Sequence, residues 1–297
     1  MNETVTIGFQ FATGSDNPVS TNQTLTGGFS SKSVNTDEAF FQWQPHLVKQ
    51  SAVIGGKMEN PFVSPGKSEL IWDTDLRPEG LAYKYSFSPD TLKLFINAAY
   101  FWVEERPSDN DAVMLGGQGG IMCRKWNTDF VLGLGYFDYQ NARYNAPFYN
   151  SHDSFGNSVD SNGGYLYDYN EIEIMGSLVT HRLFTESSLF FDSVVNTAPG
   201  VKDNLGWLGG FSMGTNKKPG SVSLRYSYQI VEKDALIGAF TDSDFIDGGT
   251  DGKGHKISIT FQIAQNSTCE ATYFHNQKGI DHGEKYRRGH LALNFKI

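Results

Sequence analysis

The chain has 297 residues and a formal net charge of −9, with abundant glycine (32 residues) and aromatic side chains (14%). This length allows two ordinary domains or one large all-β domain, and an acidic chain without a basic stripe is not typical of a nucleic-acid-binding protein. It has no run of about 18 apolar residues, so it predicts no transmembrane helix. Its negative mean hydropathy resembles that of soluble proteins, but the strands of membrane barrels are only half apolar.

The clearest local pattern lies in residues 221–230, where apolar or aromatic side chains alternate with small polar ones and with Arg225. Successive strand side chains point to opposite faces, so this segment predicts a strand with one apolar and one polar face. The polar face places Arg225 toward water inside a closed sheet.

The same period of two recurs along the chain and predicts about 14 strands. In the segment 50–58, the apolar set is Ala52, Ile54, Gly56 and Met58, which leaves Lys57 on the polar side. The predicted strands are residues 4–13, 36–44, 50–58, 81–87, 92–103, 112–122, 128–137, 169–182, 187–196, 204–214, 221–230, 255–264, 268–275 and 286–297.

The connections between these segments alternate between short and long. Outer-membrane barrels have short periplasmic turns, longer outer loops and tilted strands of about ten residues. A soluble sandwich or propeller is the alternative, but no repeat of propeller length is visible. The sequence therefore predicts one domain, residues 1–297, folded as an antiparallel up-and-down transmembrane β-barrel. Aromatic residues near strand ends, suited to membrane-interface girdles, are Trp43, Tyr100, Trp102, Tyr136, Trp207, Tyr228 and Tyr286.

Three stretches resemble the putative porin family of Gram-negative bacteria: residues 12–25, residues 55–62 and residues 70–81, the last reading LIWDTDLRPEGL. The resemblance is strongest over residues 1–87. It implies an outer-membrane location, membrane lipid and lipopolysaccharide as surroundings, and passive diffusion of small polar or charged solutes and ions. Family members usually begin with a signal peptide, and many carry further N-terminal sequence that can include a coiled-coil segment; we expect both to be absent from this sequence. The strand number is then 14 as counted, or 16 if strands are missing. A homo-oligomer such as a trimer is a further expectation.

Strand alternation assigns charged residues of both signs to the pore lining. Walls of opposite sign would favour small polar solutes, whereas charges that only pair with each other would merely solvate the wall. The predicted pore-lining residues are Lys57, Lys84, Lys93, Glu171, Glu173, Asp192, Arg225, Lys256, Arg288, His290 and Lys296.

The connection 60–80 is long enough to suggest a function. It could fold into the pore as a constriction loop, hold Ca²⁺ through its carboxylates, or be a structural loop in which Arg77 pairs with Asp73 or Asp75. We favour the structural interpretation over calcium. The constriction-loop candidates are Trp72, Asp73, Asp75, Arg77 and Glu79.

Signals for catalysis are weak, because no nucleophile elbow, zinc-protease motif or phosphate loop occurs. We expect no enzyme activity, no metal and no cofactor, and we expect Cys123 and Cys269 to be unpaired or structural. A plugged barrel for adhesion or as a structural anchor, and an outer-membrane enzyme, are the alternatives to a porin.

Overall fold

The computed structural model describes residues 4–23, 28–46, 48–89, 91–181, 185–281 and 283–296. Fourteen strands form one antiparallel sheet in chain order, so the predicted up-and-down fold is confirmed. Every predicted strand coincides with an observed one. The strands are β1 (Val5–Thr13), β2 (Val34–Trp43), β3 (Ser51–Lys57), β4 (Glu79–Phe87), β5 (Leu92–Glu104), β6 (Ala112–Lys125), β7 (Thr128–Gln140), β8 (Tyr169–Thr180), β9 (Ser187–Asn196), β10 (Leu205–Gly214), β11 (Val222–Val231), β12 (Gly252–Ala264), β13 (Ser267–Lys278) and β14 (Glu284–Phe295).

The helical content is very small. Two 3₁₀ segments, Pro65–Lys67 and Gly238–Phe240, interrupt long connections. Over the described residues we find no helix with the length and apolarity needed to cross a bilayer.

The outward face of the sheet is apolar. On β12, Ile257 and Ile259 are exposed on this face, whereas Ser258 between them is buried on the other. Aromatic pairs also lie on the outward face, including Tyr100 with Trp102 on β5, whose ring centroids are 5.7 Å apart. This is the side-chain distribution that a lipid-facing barrel wall requires.

The sheet curves around one of its own connections. The segment between β3 and β4 makes an ion pair with β2 through Arg77 and Glu38 (3.0 Å) and another with β12 through Glu69 and Lys256 (2.6 Å). Strands so far apart in a sheet can meet one short segment only if the sheet wraps around it. β1 and β14 form the two margins, and no ladder joins them within the described residues. Phe9 and Leu291, on these margins, are 71% and 76% exposed.

Long and short connections lie at opposite ends of the strands. The short ones are residues 44–50, 88–91, 126–127, 181–186, 215–221 and 265–266, and the long ones lie at the other end. In outer-membrane barrels the short turns face the periplasm. Three long connections turn inward and pack together. We call them the inward loop (residues 58–78), the β7–β8 loop (residues 141–168) and the β11–β12 loop (residues 232–251).

One predicted face is reversed. The apolar set of β3 faces the interior, where Ile54 and Met58 are buried in the main apolar cluster. Val53 and Gly55 are paired with Tyr83 and Leu81, which are exposed on the outward face. The reason is that the inward loop packs against β3, so apolar side chains here cover a loop and not lipid.

Candidate solute pathway

The inward loop enters the interior through local turns that its sequence provides. The Asn60 side-chain carbonyl accepts a hydrogen bond from the Phe62 backbone N–H at 3.1 Å, which closes a turn after β3. Gly66 has a φ of +58°, and a Cβ at this position would overlap the Phe190 ring on β9. Glycine therefore permits both the turn and the close approach of the loop to the wall.

Aromatic packing anchors the middle of the inward loop. Trp72 stacks on Phe62 at 5.1 Å between ring centroids and meets Phe137 of β7 edge-on at 4.4 Å. Its indole N–H donates to the Tyr139 hydroxyl at 3.2 Å. The Phe62 ring also lies so close to Gly116 of β6 that a Cβ there would collide with it. Gly116 of β6 thus makes room for the loop.

A buried amide fixes the loop backbone to the wall. Gln118 of β6 accepts from the Val63 N–H at 2.7 Å and donates to the Val63 carbonyl at 3.0 Å. The same side-chain nitrogen donates to Glu173 of β8 at 2.8 Å. One buried interior glutamine therefore satisfies both backbone groups of a loop residue.

Lys256 of β12 holds two loops at once. Its ammonium lies 2.6 Å from Glu69 of the inward loop and 2.9 Å from Asp242 of the β11–β12 loop. Burial opposes ionisation of Glu69, but the Lys256 ammonium holds the pKa of this carboxyl below its usual value. Removing the cation would leave the buried Asp242 and the half-buried Glu69 without a counter-charge.

Asp73 joins the same two loops. It accepts hydrogen bonds from the backbone N–H groups of Asp75 (2.8 Å) and Ser243 (3.0 Å), and its own N–H donates to the Phe240 carbonyl. Burial raises the pKa of Asp73 to about 7; the two amide donors oppose this shift, and nearby carboxylates add to it. Asp73 is thus a structural link that titrates near neutral pH.

The opposite end of the inward loop is tied to β2 and to the first long loop. Arg77 lies 3.0 Å from Glu38 and 3.5 Å from Asp37, so it does not pair with Asp73 or Asp75 as the structural interpretation predicted. Asp75 instead accepts hydrogen bonds from the backbone and hydroxyl of Thr21.

The interior is filled unevenly. On the side of β7 to β11, the β7–β8 and β11–β12 loops pack on the inward loop through stacked rings, with Phe240 6.3 Å from Tyr139 and 6.0 Å from Phe148. Leu236 and Ile237 are also buried there. Cavities remain beside β1 to β6 and beneath the inward loop.

Three cavities share wall residues in succession, and the middle one lies between the inward loop and the residues Glu173 of β8 and Asp192 of β9. An outer cavity of about 260 Å³ lies beside the first long loop, and a middle cavity of about 250 Å³ lies beneath the inward loop. A third, which we call the vestibule, has about 620 Å³ and opens at the short turns. Arg77 lines the outer and middle cavities, and Val63 lines the middle cavity and the vestibule. Arg77 and Val63 are therefore wall residues that neighbouring cavities share.

Predicted pore-lining cations on the late strands are engaged with loops or rings. Arg288 lies 3.2 Å from Asp244 of the β11–β12 loop, which also pairs with His290 at 3.2 Å. The Arg225 guanidinium lies 4.1 Å from the centre of the Phe190 ring. Together with Lys256, these residues hold loops in place on the interior wall.

The predicted acidic wall is buried. Glu171, Glu173 and Asp192 are each at most 3% exposed. Glu171 lies against the backbone of Ile237, and Glu173 lies against Asp192. Only the latter two line a cavity described above, the middle one.

The remaining predicted residues fall in different places. Lys84 and Lys93 line the vestibule. Lys57 is at the end of β3, where its ammonium donates to the Arg77 carbonyl at 3.0 Å. Glu79 begins β4 and is paired with Lys57 across the β3–β4 ladder, and Lys296 is exposed beyond β14.

Sequence reasoning missed the loop carboxylates and Gln118. Glu69, Asp242 and Asp244 lie in irregular segments, where no periodicity indicates direction. Gln118 did offer a signal, since it is the lone amide in a glycine-rich strand with no charge around it. Cys123 and Cys269 are free thiols on β6 and β13, and within the described ranges no group of three or more metal-ligating side chains converges.

The fold and this interior define a porin-like β-barrel protein of the outer membrane. The sequence profile of the family described as Putative porin matches residues 1–162 and 167–286. The chain belongs to this family, whose members are a non-enzymatic kind of protein.

Two solved structures are similar to the chain. One is Wzi of Escherichia coli, an outer-membrane protein involved in group 1 capsule assembly and a carbohydrate-binding β-barrel, with a TM-score of 0.57 and 12% identity. The match covers 89% of this chain and 64% of Wzi, so the chain spans under two thirds of that protein. The other is the outer-membrane channel DcaP of Acinetobacter baumannii, with a TM-score of 0.49, 11% identity, and coverage of 97% and 78%. No curated protein has a significant sequence match.

Proposed function

We propose that the protein is a diffusion porin in which small polar or charged solutes pass through the interior beside the inward loop. The observation that carries this proposal is the succession of three cavities with shared walls at Arg77 and Val63. The inward loop acts as the constriction, because it supplies both of these residues. Membership of the porin family supports the same activity.

Single-channel recording in planar bilayers tests the proposal directly. Folded, heat-modifiable protein should produce stepwise conductance. Absence of conductance from such protein would contradict the proposal and favour a plugged barrel.

The route itself is tested at Val63. In Val63→Trp the larger ring would narrow the passage between the middle cavity and the vestibule, so conductance should fall roughly twofold or more. Val222→Trp makes the same exchange on the outward face of β11, where the valine is 50% exposed, and should leave conductance unchanged. Equal effects of the two substitutions would place the route elsewhere.

A plugged barrel for adhesion or structural anchoring is the second candidate. The packing of three loops into one apolar cluster supports it, because such a cluster has no channel through it. Liposome swelling with uncharged sugars separates the candidates, since a porin admits small sugars at a rate that falls with their size. Contact with lipopolysaccharide and assembly into a homo-oligomer such as a trimer are compatible with both candidate functions. Cross-linking in native outer membrane tests for both partners.

A further inference from the structure

The vestibule differs from the rest of the interior in the sign of its charge. The ionisable side chains in its wall, apart from Tyr85, are His46, Lys49, Lys84 and Lys93, and no described carboxylate belongs to that wall. The middle cavity, by contrast, includes Glu59, Asp73, Glu173 and Asp192 beside the single cation Arg77.

The charges of the two interior lysines of the vestibule are not neutralised by a contact with any carboxylate that the structure describes. Among the described residues, neither Lys84 nor Lys93 forms an ion pair or a hydrogen bond, whereas Lys256, Arg288 and Arg77 all pair with carboxylates. The two ammonium groups repel each other, and Glu59 of the middle cavity attracts Lys84. A bound anion would relieve the repulsion between the lysines.

Neutral donors surround these cations. Lys84 is paired with Asn97 across the β4–β5 ladder, and the Gln42 and Gln44 amides and the Ser86 hydroxyl line the same cavity. Ammonium groups combined with amide and hydroxyl donors suit carboxylate oxygens, which only accept hydrogen bonds. At about 620 Å³, the space exceeds what a small organic solute needs.

We propose that the vestibule is a binding site for small organic anions of the carboxylate class, with Lys84 and Lys93 as the residues that recognise the carboxylate. This inference rests on the proposed porin function for its role in transport. The site would concentrate anionic solutes at the periplasmic end of the route, beyond the acidic middle cavity. The channel then favours anions through lysines on β4 and β5 and not through the basic residues of β11 to β14.

The test uses malonate and its neutral amide, malonamide, which have nearly the same size. Malonate in the millimolar range should reduce the chloride current through the wild-type channel, and malonamide should not. In the double variant Lys84→Gln, Lys93→Gln, the apparent malonate affinity should fall roughly tenfold, and the reversal potential in a KCl gradient should move toward cation selectivity. Lys217→Gln removes the same charge from a turn at the same end, where Lys217 is 71% exposed and pairs with Glu186; it should change neither quantity.

Two further results separate this inference from the porin proposal. Conductance with equal effects of malonate and malonamide, or a double variant with an unchanged reversal potential, would overturn the anion site and leave the porin intact. Without any conductance, titration calorimetry of malonate into the folded protein decides the site alone: binding that the double variant loses supports it, and no binding overturns it.

Discussion

The two sides of the interior have the same strand pattern but use their charges differently. On β11 to β14 the inward-facing cations meet carboxylates of the loops or lie over rings, as Lys256 does with Glu69 and Arg288 with Asp244. On β4 and β5, Lys84 and Lys93 face an open cavity. The comparison teaches that strand alternation selects which side chains enter the interior, whereas the loops decide which charges a solute meets.

The largest effect is expected at Lys256. In Lys256→Met, the buried Asp242 and the half-buried Glu69 would lack a cation, which should lower the free energy of unfolding by about 3 kcal/mol. Urea unfolding in detergent, followed by Trp fluorescence, measures it. In an Asp242→Asn background the same substitution should lower the free energy of unfolding by less, because one of the two carboxylates is absent. An equal loss in both backgrounds would argue against the role of Lys256 in holding the two loops.

Trp72→Ala should release the inward loop from the packed side. Loss of the ring contacts with Phe62 and Phe137 should destabilise the protein by about 3 kcal/mol and raise conductance, since the loop can move away from the wall. Trp126→Ala is the control, because Trp126 is 65% exposed at a turn. An unchanged conductance in Trp72→Ala would show that the position of the inward loop does not limit the conductance.

Gly66→Ala tests the contact between the inward loop and β9. The new Cβ would overlap the Phe190 ring at a positive φ, so a cost of about 1–3 kcal/mol is expected in the same unfolding assay. Gly220→Ala is the matched control: its φ is also positive, but a Cβ there meets open space. Equal losses of stability in the two variants would mean that the positive φ alone accounts for the effect, and that the contact with Phe190 adds nothing.

The link at Asp73 should depend on pH. Its pKa is raised from 3.8 to about 7, so the folded state retains a proton that the unfolded state loses, and stability falls as pH rises from about 4 to about 7. Above pH 7 the penalty is constant. Hydrogen exchange of a peptide covering residues 69–77, corrected for intrinsic rates, should be faster at pH 8 than at pH 5.5. Asp73→Asn should remove this difference. If the variant still exchanges faster at pH 8 than at pH 5.5, another group causes the pH dependence.

The smallest effect is expected for a paired cation. Arg288→Gln should shift the reversal potential less than Lys93→Gln does, because Asp244 and Asp247 already offset the Arg288 charge. Parallel reversal-potential measurements in a KCl gradient compare the variants. A larger shift of the reversal potential for Arg288→Gln would mean that solutes meet the charges of β11 to β14 and not those of β4 and β5.

Sequence periodicity predicted the wall well because a barrel strand is a local object. Each strand needs only the alternation of its own side chains, and turns such as residues 215–221 are evident from their composition. The pattern failed on the face of β3, because alternation cannot distinguish an apolar side chain that meets lipid from one that meets a packed loop. It also placed Arg77 beside its sequence neighbours, whereas its partners Asp37 and Glu38 are far away in the chain.

By itself the sequence determined the class of fold, the number and order of the strands, and the end of the barrel that carries the long loops. These features follow from the period of two and from loop lengths. Only the tertiary structure decided which loops enter the interior and which charges they neutralise, because contacts such as Lys256 with Glu69 join residues 187 positions apart. Such contacts depend on how the sheet curves, and no local pattern records that curvature.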